Sequence, residues 1–204
     1  MSDTTHIRSA FRTARGFTLT EFMVTLAVAG ILLSVAVPNF RSFIQNDRLS
    51  AAANDLLRSF QLARTQAIKH QANVVVCASA NPTAANPTCS YGPFNGWIVF
   101  QDTNSNWQVD AGEPVLERHE LLDSSITVKT DNNGIESYAA TGFANPAGVK
   151  TPTRNILVCD VRGNQIVGGN SVERAVLIAP AGRARVSKTS ADVSTAAGAA
   201  GACP

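Results

Sequence analysis

The sequence predicts an α+β fold in which one long N-terminal helix packs against antiparallel β-sheet. The chain is apolar from Phe17 to Val37, and apolar residues then recur at helical spacing as far as about His70. Further along, the apolar period changes towards two residues, and segments rich in Gly, Pro, Asn and Ser separate the short apolar runs. Because these connections are of hairpin length, they favour antiparallel pairing over parallel strands joined by helices.

The composition is that of a folded domain with an appended segment. Of the 204 residues, 45% are hydrophobic and only 16% are charged, which argues against a disordered chain. The net charge of +2 comes entirely from residues 1–16, and the rest of the chain has equal numbers of basic and acidic residues. Overall charge therefore gives no reason to expect nucleic-acid binding, which would need a local basic patch.

The N-terminal segment has the pattern of a membrane anchor. Residues 1–16 are short, polar and basic, with Arg8, Arg12 and Arg15. The apolar run that follows, predicted as a transmembrane segment over residues 17–37, spans roughly 31 Å as a helix, close to the ~30 Å core of a bilayer. The arginines place residues 1–16 in the cytoplasm and the remainder of the chain on the other side of the membrane.

Glu21 decides between several interpretations of this segment. The run could be a removed signal peptide, since Ser34-Val35-Ala36 resembles a cleavage site, or a plain single-span anchor. A carboxylate within an apolar span is costly unless it is paired or protonated, and neither a signal peptide nor a plain anchor gains anything from one. Glu21 therefore predicts a specific partner.

The run Arg15-Gly16-Phe17-Thr18-Leu19-Thr20-Glu21 resembles the class III signal of type IV pilins and type II secretion pseudopilins. The resemblance implies the type IV pilin fold, with cleavage by a prepilin peptidase after Gly16 and N-methylation of Phe17. It also implies that Glu21 pairs with the terminal amine of a neighbouring subunit in a filament of pilins. Pro38 matches the proline that softens the helix in this family.

The helix is predicted to continue from about Thr18 to about His70, with residues 38–72 as its amphipathic half. An apolar stripe at i, i+3, i+4 spacing should pack on the sheet. It consists of Leu49, Ala53, Leu56, Phe60, Ala63 and Ala67.

Residues 73–188 are predicted to form a β-rich periplasmic domain, and residues 189–204, which are small and low in complexity, a flexible tail. The predicted strands are Val74–Ala78, Trp97–Gln101, Val115–Arg118, Ile126–Thr130, Asn155–Asp160 and Arg174–Ala179. Three runs, Trp97–Asp102, Asp110–Glu113 and Gly182–Arg185, resemble the FimT/GspH subfamily of minor components.

Four cysteines in an exported chain predict two disulfides, with three alternative connectivities. We expect Cys77–Cys89, which closes a short loop, and Cys159–Cys203, which ties the tail to the domain. The second pairing depends mainly on Cys203 needing a partner, so the sequence leaves the other connectivities open.

A basic segment near the C-terminus is a candidate DNA-binding site. In Gly182-Arg183-Ala184-Arg185, the two arginines point the same way on an extended segment, about 7 Å apart, which suits contact with two phosphates. Arg174 and Lys188 lie on either side. Taken alone, the pattern is more typical of a solvated turn. The resemblance to FimT-type minor pilins implies DNA binding during natural transformation.

A second polar segment resembles a calcium-binding loop. Its oxygen-bearing residues at loop positions 1, 3, 5, 9 and 12 are Asp102, Asn104, Asn106, Asp110 and Glu113. Trp107 occupies the position that normally needs Gly, so we favour an Asp/Asn-rich hairpin loop that caps its own backbone. Apart from this weak calcium candidate, no cofactor is expected.

Three functions remain from the sequence. The first is a FimT-like minor type IV pilin that helps to assemble a filament and to take up DNA. The second is a GspH-like pseudopilin of the type II secretion system, with secreted proteins as cargo, and the third is a single-span periplasmic anchor protein. An enzyme is not expected, since the sequence contains no recognisable catalytic motif and only His70 and His119 would remain after processing.

Overall fold

The computed structural model describes residues 16–131, 133–144 and 154–203. The chain divides into two compact units, Met1–Phe43 and Ile44–Pro204. The described elements, in chain order, are α1 (Leu19–His70), β1 (Asn73–Ala78), β2 (Trp97–Asp102), β3 (Val115–His119), β4 (Thr127–Thr130), β5 (Ile135–Tyr138), β6 (Asn155–Cys159), β7 (Ile166–Val167), β8 (Asn170–Ile178), β9 (Ala184–Thr189) and α2 (Ser190–Ala200).

The first unit contains the N-terminal part of α1. The helix begins after Thr18, whose side-chain oxygen accepts a hydrogen bond from the backbone N–H of Glu21 (3.2 Å), as an N-cap residue does. Every residue from 16 to 43 is exposed, and the helix is long and apolar enough to cross a membrane. α1 continues through Pro38, and the side-chain amide of Asn39 donates to the carbonyl of Val35 near this point (3.1 Å).

In the second unit, the predicted stripe of α1 is confirmed. All six of its apolar residues are fully buried, and Ala52 and Ser59 extend the buried face. The ring of Phe60 packs edge-on against that of Phe94, with 5.7 Å between the centroids. The indole N–H of Trp97 donates to the hydroxyl of Ser59 (2.8 Å), which satisfies a polar group that would otherwise be buried without a partner.

Two antiparallel sheets share this core with α1. The first sheet has the order β3-β2-β1-β5, and the second has β4-β6-β8-β7 with β9 also paired to β8. One side of each sheet contributes to the main apolar cluster, through residues such as Val76 and Val99 of the first sheet and Ile156 and Val176 of the second. The predicted antiparallel arrangement is therefore confirmed.

The six predicted strands correspond to β1, β2, β3, β4, β6 and β8. The sequence patterns do not predict β5, β7 and β9. In β5, the polar residues Glu136 and Ser137 are buried together with Ile135, so no alternation marks the strand. β7 is only two residues long, and β9 was predicted as an extended basic segment and not as a member of the sheet.

The C-terminal segment is folded, and the prediction of a flexible tail over residues 189–204 is corrected for the residues that the structure describes. Thr189 caps α2 by accepting from the backbone N–H of Asp192, and Val193 and Ala196 are buried against Leu157 of the second sheet. Low complexity was misleading here because Ala is the strongest helix former and two small side chains are enough to seat the helix.

The structure contains both expected disulfides. Cys77 and Cys89 are joined with 5.6 Å between their Cα atoms, and Cys159 and Cys203 with 5.9 Å. The second bond fastens the chain beyond α2 to the end of β6. The helix α2 itself covers the side of the second sheet that faces away from α1.

Candidate functional site

The N-terminal end of the helix carries the residues expected to act in processing and assembly. Gly16, Phe17 and Thr18 precede the first turn of α1, and Phe17 is 83% exposed. Glu21 is exposed in that first turn and makes no ion pair with a described residue. The segment is therefore accessible, and the Glu21 carboxylate is free to meet a group from another chain.

The turn between β8 and β9 positions the basic segment. Gly182 has φ +78° and donates its N–H to the carbonyl of Ala179 (2.8 Å), and Ala179 in turn donates to the carbonyl of Arg183 (3.0 Å). A Cβ atom at position 182 would overlap the backbone carbonyl oxygen of Gly142. Glycine is thus required by both conformation and space, and the turn it makes starts β9 at Ala184.

Three arginines share one surface groove beside α2. Arg185 pairs with Leu177 of β8, which belongs to the apolar cluster packed against α2. By strand alternation, Arg183 is on the same side, and both side chains are exposed. Arg154, directly before β6, lines the same groove, which has a volume of about 450 Å³. The fold therefore adds a third guanidinium group to the predicted pair.

Sequence reasoning missed Arg154, and no linear signal could have found it. Arg154 is far from Arg183 in the sequence. The antiparallel pairing of β6 with β8 brings the backbone of Arg154 next to Ile178, and the N–H of Ile178 donates to the carbonyl of Arg154 (2.9 Å). Its guanidinium group donates to the carbonyl of Ala179 (3.2 Å) and lies 3.8 Å from Glu136. These contacts hold the side chain at the rim of the groove.

The Arg185 guanidinium group is paired with a carboxylate of α2. It donates to both oxygens of Asp192, at 2.7 and 2.8 Å. These hydrogen bonds hold the pKa of Asp192 well below its usual range and raise the pKa of Arg185. Arg183 has no acid partner among the described residues. Asp192 thus occupies at Arg185 the bidentate position that a phosphate would take.

Arg174 and Lys188, which flank the basic segment in the sequence, do not lie with Arg183 and Arg185, which corrects their prediction as part of the DNA-binding site. By alternation along β8 and β9, they lie on the opposite side of the second sheet, and they line a separate depression with Ser50 and Asn54 of α1. Arg174 donates to the carbonyls of Val172 (2.7 Å) and Glu173 (3.1 Å). Burial, and after it the charge of Arg162, lowers the Arg174 pKa.

The polar loop after β2 is built on its own hydrogen bonds. One oxygen of Asp102 accepts from the backbone N–H groups of Ser105 (2.6 Å) and Asn106 (3.2 Å), and the other accepts from that of Trp107 (3.0 Å). Trp107 adopts φ +60°, a conformation that favours Gly. This geometry supports the interpretation as a self-capping loop.

The other acids of the loop are engaged in the same way. Asp110 accepts from the side-chain amides of Asn104 (2.8 Å) and Asn106 (2.6 Å), which lower its pKa. Glu113 accepts from the backbone N–H groups of Thr103 (2.7 Å) and Asp110 (3.1 Å). The oxygens proposed as calcium ligands therefore already hold the loop together.

Comparison with known proteins agrees with these observations. The model of the family "Type II transport protein GspH" matches residues 52–182, and the prokaryotic N-terminal methylation motif matches residues 11–37. The chain is similar to the pilin-like protein PilA1 of Thermus thermophilus, with 26% identity over 176 residues that cover 85% of this chain and 99% of the relative.

The fold is shared with a solved minor pilin. The crystal structure of the type IV minor pilin FimU of Pseudomonas aeruginosa superposes with a TM-score of 0.51 at 19% identity, covering 73% of this chain and 94% of FimU. The long N-terminal helix and the antiparallel sheets are thus those of the type IV pilin fold. With an N-methylation motif at the start of that helix and a GspH domain over most of the remainder, this chain belongs to the GspH family of minor type IV pilins and pseudopilins.

Proposed function

We propose that the protein is a FimT-like minor type IV pilin that binds DNA through Arg183, Arg185 and Arg154 during natural transformation. The observation that supports this proposal is the groove beside α2, at which the Gly182 turn and the start of β6 place three guanidinium groups. Guanidinium groups bind phosphate oxygens in bidentate geometry and keep their charge at any physiological pH. Three such groups suit a phosphate backbone and carry no means of reading bases.

The expected binding is weak, dependent on salt and independent of sequence. Each phosphate contact on B-DNA contributes about −0.9 to the slope of log affinity against log salt concentration. Removing residues 1–16 leaves a chain with no net charge, so attraction outside the groove is small. The local arginines must therefore account for most of the slope.

The test uses the mature chain in detergent and duplex DNA of mixed sequence. Replacing Arg183 and Arg185 by Gln should flatten the slope by up to about two units, since phosphate competes with Asp192 for Arg185. Adding Arg154→Gln should remove at most about one more, since Arg154 also lies 3.8 Å from Glu136. The matched control is the pair Arg174→Gln and Lys188→Gln, which removes equal charge from the opposite side of the sheet and should change the slope little. Absence of binding at low salt, or equal effects of the two double variants, would refute the assignment.

Membrane insertion and assembly follow from the N-terminal end. We propose that a prepilin peptidase cleaves after Gly16 and methylates Phe17, and that the chain is then held in the inner membrane with Ile44–Pro204 in the periplasm. Glu21 would pair with the amine of a neighbouring pilin, which relieves the cost of a carboxylate in an apolar span. Incorporation into a pilus then places the groove outside the membrane.

A GspH-like pseudopilin of the type II secretion system is the second candidate. Two observations favour it, namely the match to the GspH family model and the Asp192 carboxylate that already pairs with Arg185. In this function the groove would contact secreted proteins or a neighbouring subunit. A deletion strain distinguishes the two: loss of transformation with normal secretion supports the minor pilin, and the reverse supports the pseudopilin.

A further inference from the structure

A buried acid lies under α2. The side chain of Glu173 is 1% exposed, and neither carboxylate oxygen has a hydrogen-bond partner among the described residues. Burial, and after it the charge of nearby Asp160, raises the pKa of Glu173. A buried carboxylate without a partner is unfavourable whether it is ionised or has to be kept protonated. We therefore looked for a group that the Glu173 carboxylate would bind in this position.

The sheet register aims Glu173 at the tethering cysteines. Val158 of β6 pairs with Arg174 of β8, so the next residues, Cys159 and Glu173, lie opposite each other on the side that faces α2. Cys203 reaches the same place from beyond the C-terminal end of α2. The two Sγ atoms and one carboxylate oxygen all lie within 4.8 Å of one another.

A small pocket adjoins the carboxylate. Its volume is about 70 Å³, enough to hold a water molecule. Besides Glu173, the polar residues that line it are Asn164, Ser171, Ser190 and Ser194. A metal ion bound by Glu173 and the two cysteines could therefore take a water molecule as its fourth ligand, as open zinc sites do.

We propose that, when the disulfide is reduced, Cys159, Cys203 and Glu173 bind one thiophilic divalent cation such as Zn²⁺. The chain beyond α2 is then fastened to the end of β6 either by the disulfide or by the metal ion. The two thiols lose their protons to solvent, two metal–sulfur bonds and one metal–oxygen bond form, and no electrons are transferred. Zn–S bonds of about 2.3 Å and Zn–O bonds of about 2.1 Å separate tetrahedral ligands by roughly 3.6 Å. The two Sγ atoms, which are bonded to each other in the disulfide, would therefore move apart on metal binding, while the Glu173 oxygen already lies within 4.8 Å of both.

The other disulfide provides a matched internal control. Among the described residues, the only cluster of three or more potential ligands from His, Cys, Asp and Glu is the one around Cys159, and Cys77 and Cys89 are not part of it. Both pairs have similar Cα separations, 5.6 and 5.9 Å. Comparing the two pairs therefore isolates the contribution of Glu173.

The experiment uses the full chain in detergent, reduced with a phosphine under anaerobic conditions and titrated with Co²⁺ alone. We expect one tetrahedral Co²⁺ per chain, with thiolate-to-metal charge-transfer bands that Zn²⁺ displaces, and no such bands from the oxidised chain. The double variant Cys77→Ser/Cys89→Ser should retain the bands, and Cys159→Ser/Cys203→Ser should lose them. Glu173→Gln, which keeps the shape of the side chain, should weaken binding at least tenfold.

Three results would overturn the proposal. They are an absence of bands from the reduced chain, bands that survive the loss of Cys159 and Cys203, and unchanged affinity in Glu173→Gln. Circular dichroism of each oxidised variant, before reduction, shows whether it is folded. Because the readout is metal binding, the result does not depend on whether the groove binds DNA.

Discussion

Replacing Glu173 by Gln should stabilise the oxidised chain. The wild-type carboxylate is 1% exposed and neither of its oxygens has a described hydrogen-bond partner, whereas an amide of the same shape carries no charge into the cavity. Leaving a buried polar group unsatisfied costs about 1–3 kcal/mol, and a charged group costs more. Because the amide is also left unsatisfied, the substitution removes only the extra cost of the charge, and we expect the free energy of unfolding to rise by roughly 1 kcal/mol at neutral pH.

The sign of the pH dependence follows from the raised pKa of Glu173. Below the pKa of an unfolded Glu, the acid is protonated in both states and costs nothing extra. As the pH rises through the interval between that value and the raised pKa of the folded state, the unfolded chain loses its proton first, so the wild type loses stability. The Gln variant lacks this loss, and its advantage should grow from about pH 4 towards neutrality.

The assay is denaturant unfolding of the oxidised chain in detergent, followed by circular dichroism between pH 4 and 8. Glu120→Gln serves as the control, because Glu120 is exposed and its replacement should change stability by less than about 0.5 kcal/mol. A Gln variant that is less stable than the wild type at neutral pH, or as pH-dependent as the wild type, would show that the carboxylate has a favourable partner in the oxidised state.

Four further predictions follow from the described contacts. Asp192→Asn should release Arg185 from its bidentate partner and strengthen DNA binding at low salt, as fluorescence anisotropy would measure; unchanged affinity would mean that the pair does not compete with phosphate. Gly182→Ala should cost at least about 1–2 kcal/mol in unfolding experiments, since φ is +78° there and the new Cβ meets a backbone carbonyl. Cys203→Ser should lower stability by about 4 kcal/mol, the chain-entropy value for a loop with a separation of 44 residues, and a loss below 1 kcal/mol would contradict this. Glu21→Ala should still insert into the membrane but be absent from sheared filaments, as immunoblotting of the two fractions would test.

The elements defined by local periodicity could be predicted from the sequence. The predicted helix limits, about Thr18 and His70, differ from those of α1 by one residue at the start, and its apolar stripe is the buried one. Six strands were recognised because their apolar residues lie between strong turn signals. The strand β5 could not be recognised, since the buried Glu136 interrupts the pattern of apolar residues that marks a strand.

The candidate site was only partly predictable because it depends on which strands pair. The spacing of Arg183 and Arg185 is local and can be predicted from the sequence. The position of Arg154 beside them depends on the pairing of β6 with β8. The separation of Arg174 from the pair likewise depends on the side of β8 on which it lies. Neither the position of Arg154 nor that of Arg174 can therefore be predicted from one segment of the sequence alone.

The helix α2 combines one contact that the sequence predicted, the Cys159–Cys203 disulfide, with others that it did not. Asp192 in its first turn pairs with Arg185 of the groove, Val193 and Ala196 seat it on the second sheet, and Cys203 ties down the chain beyond its end. Each interaction is weak evidence for a helix in so simple a sequence. Together they fix α2 at both ends, so the groove and the buried Glu173 lie under the same element. A change in how α2 is fastened is therefore also a change in the availability of Arg185.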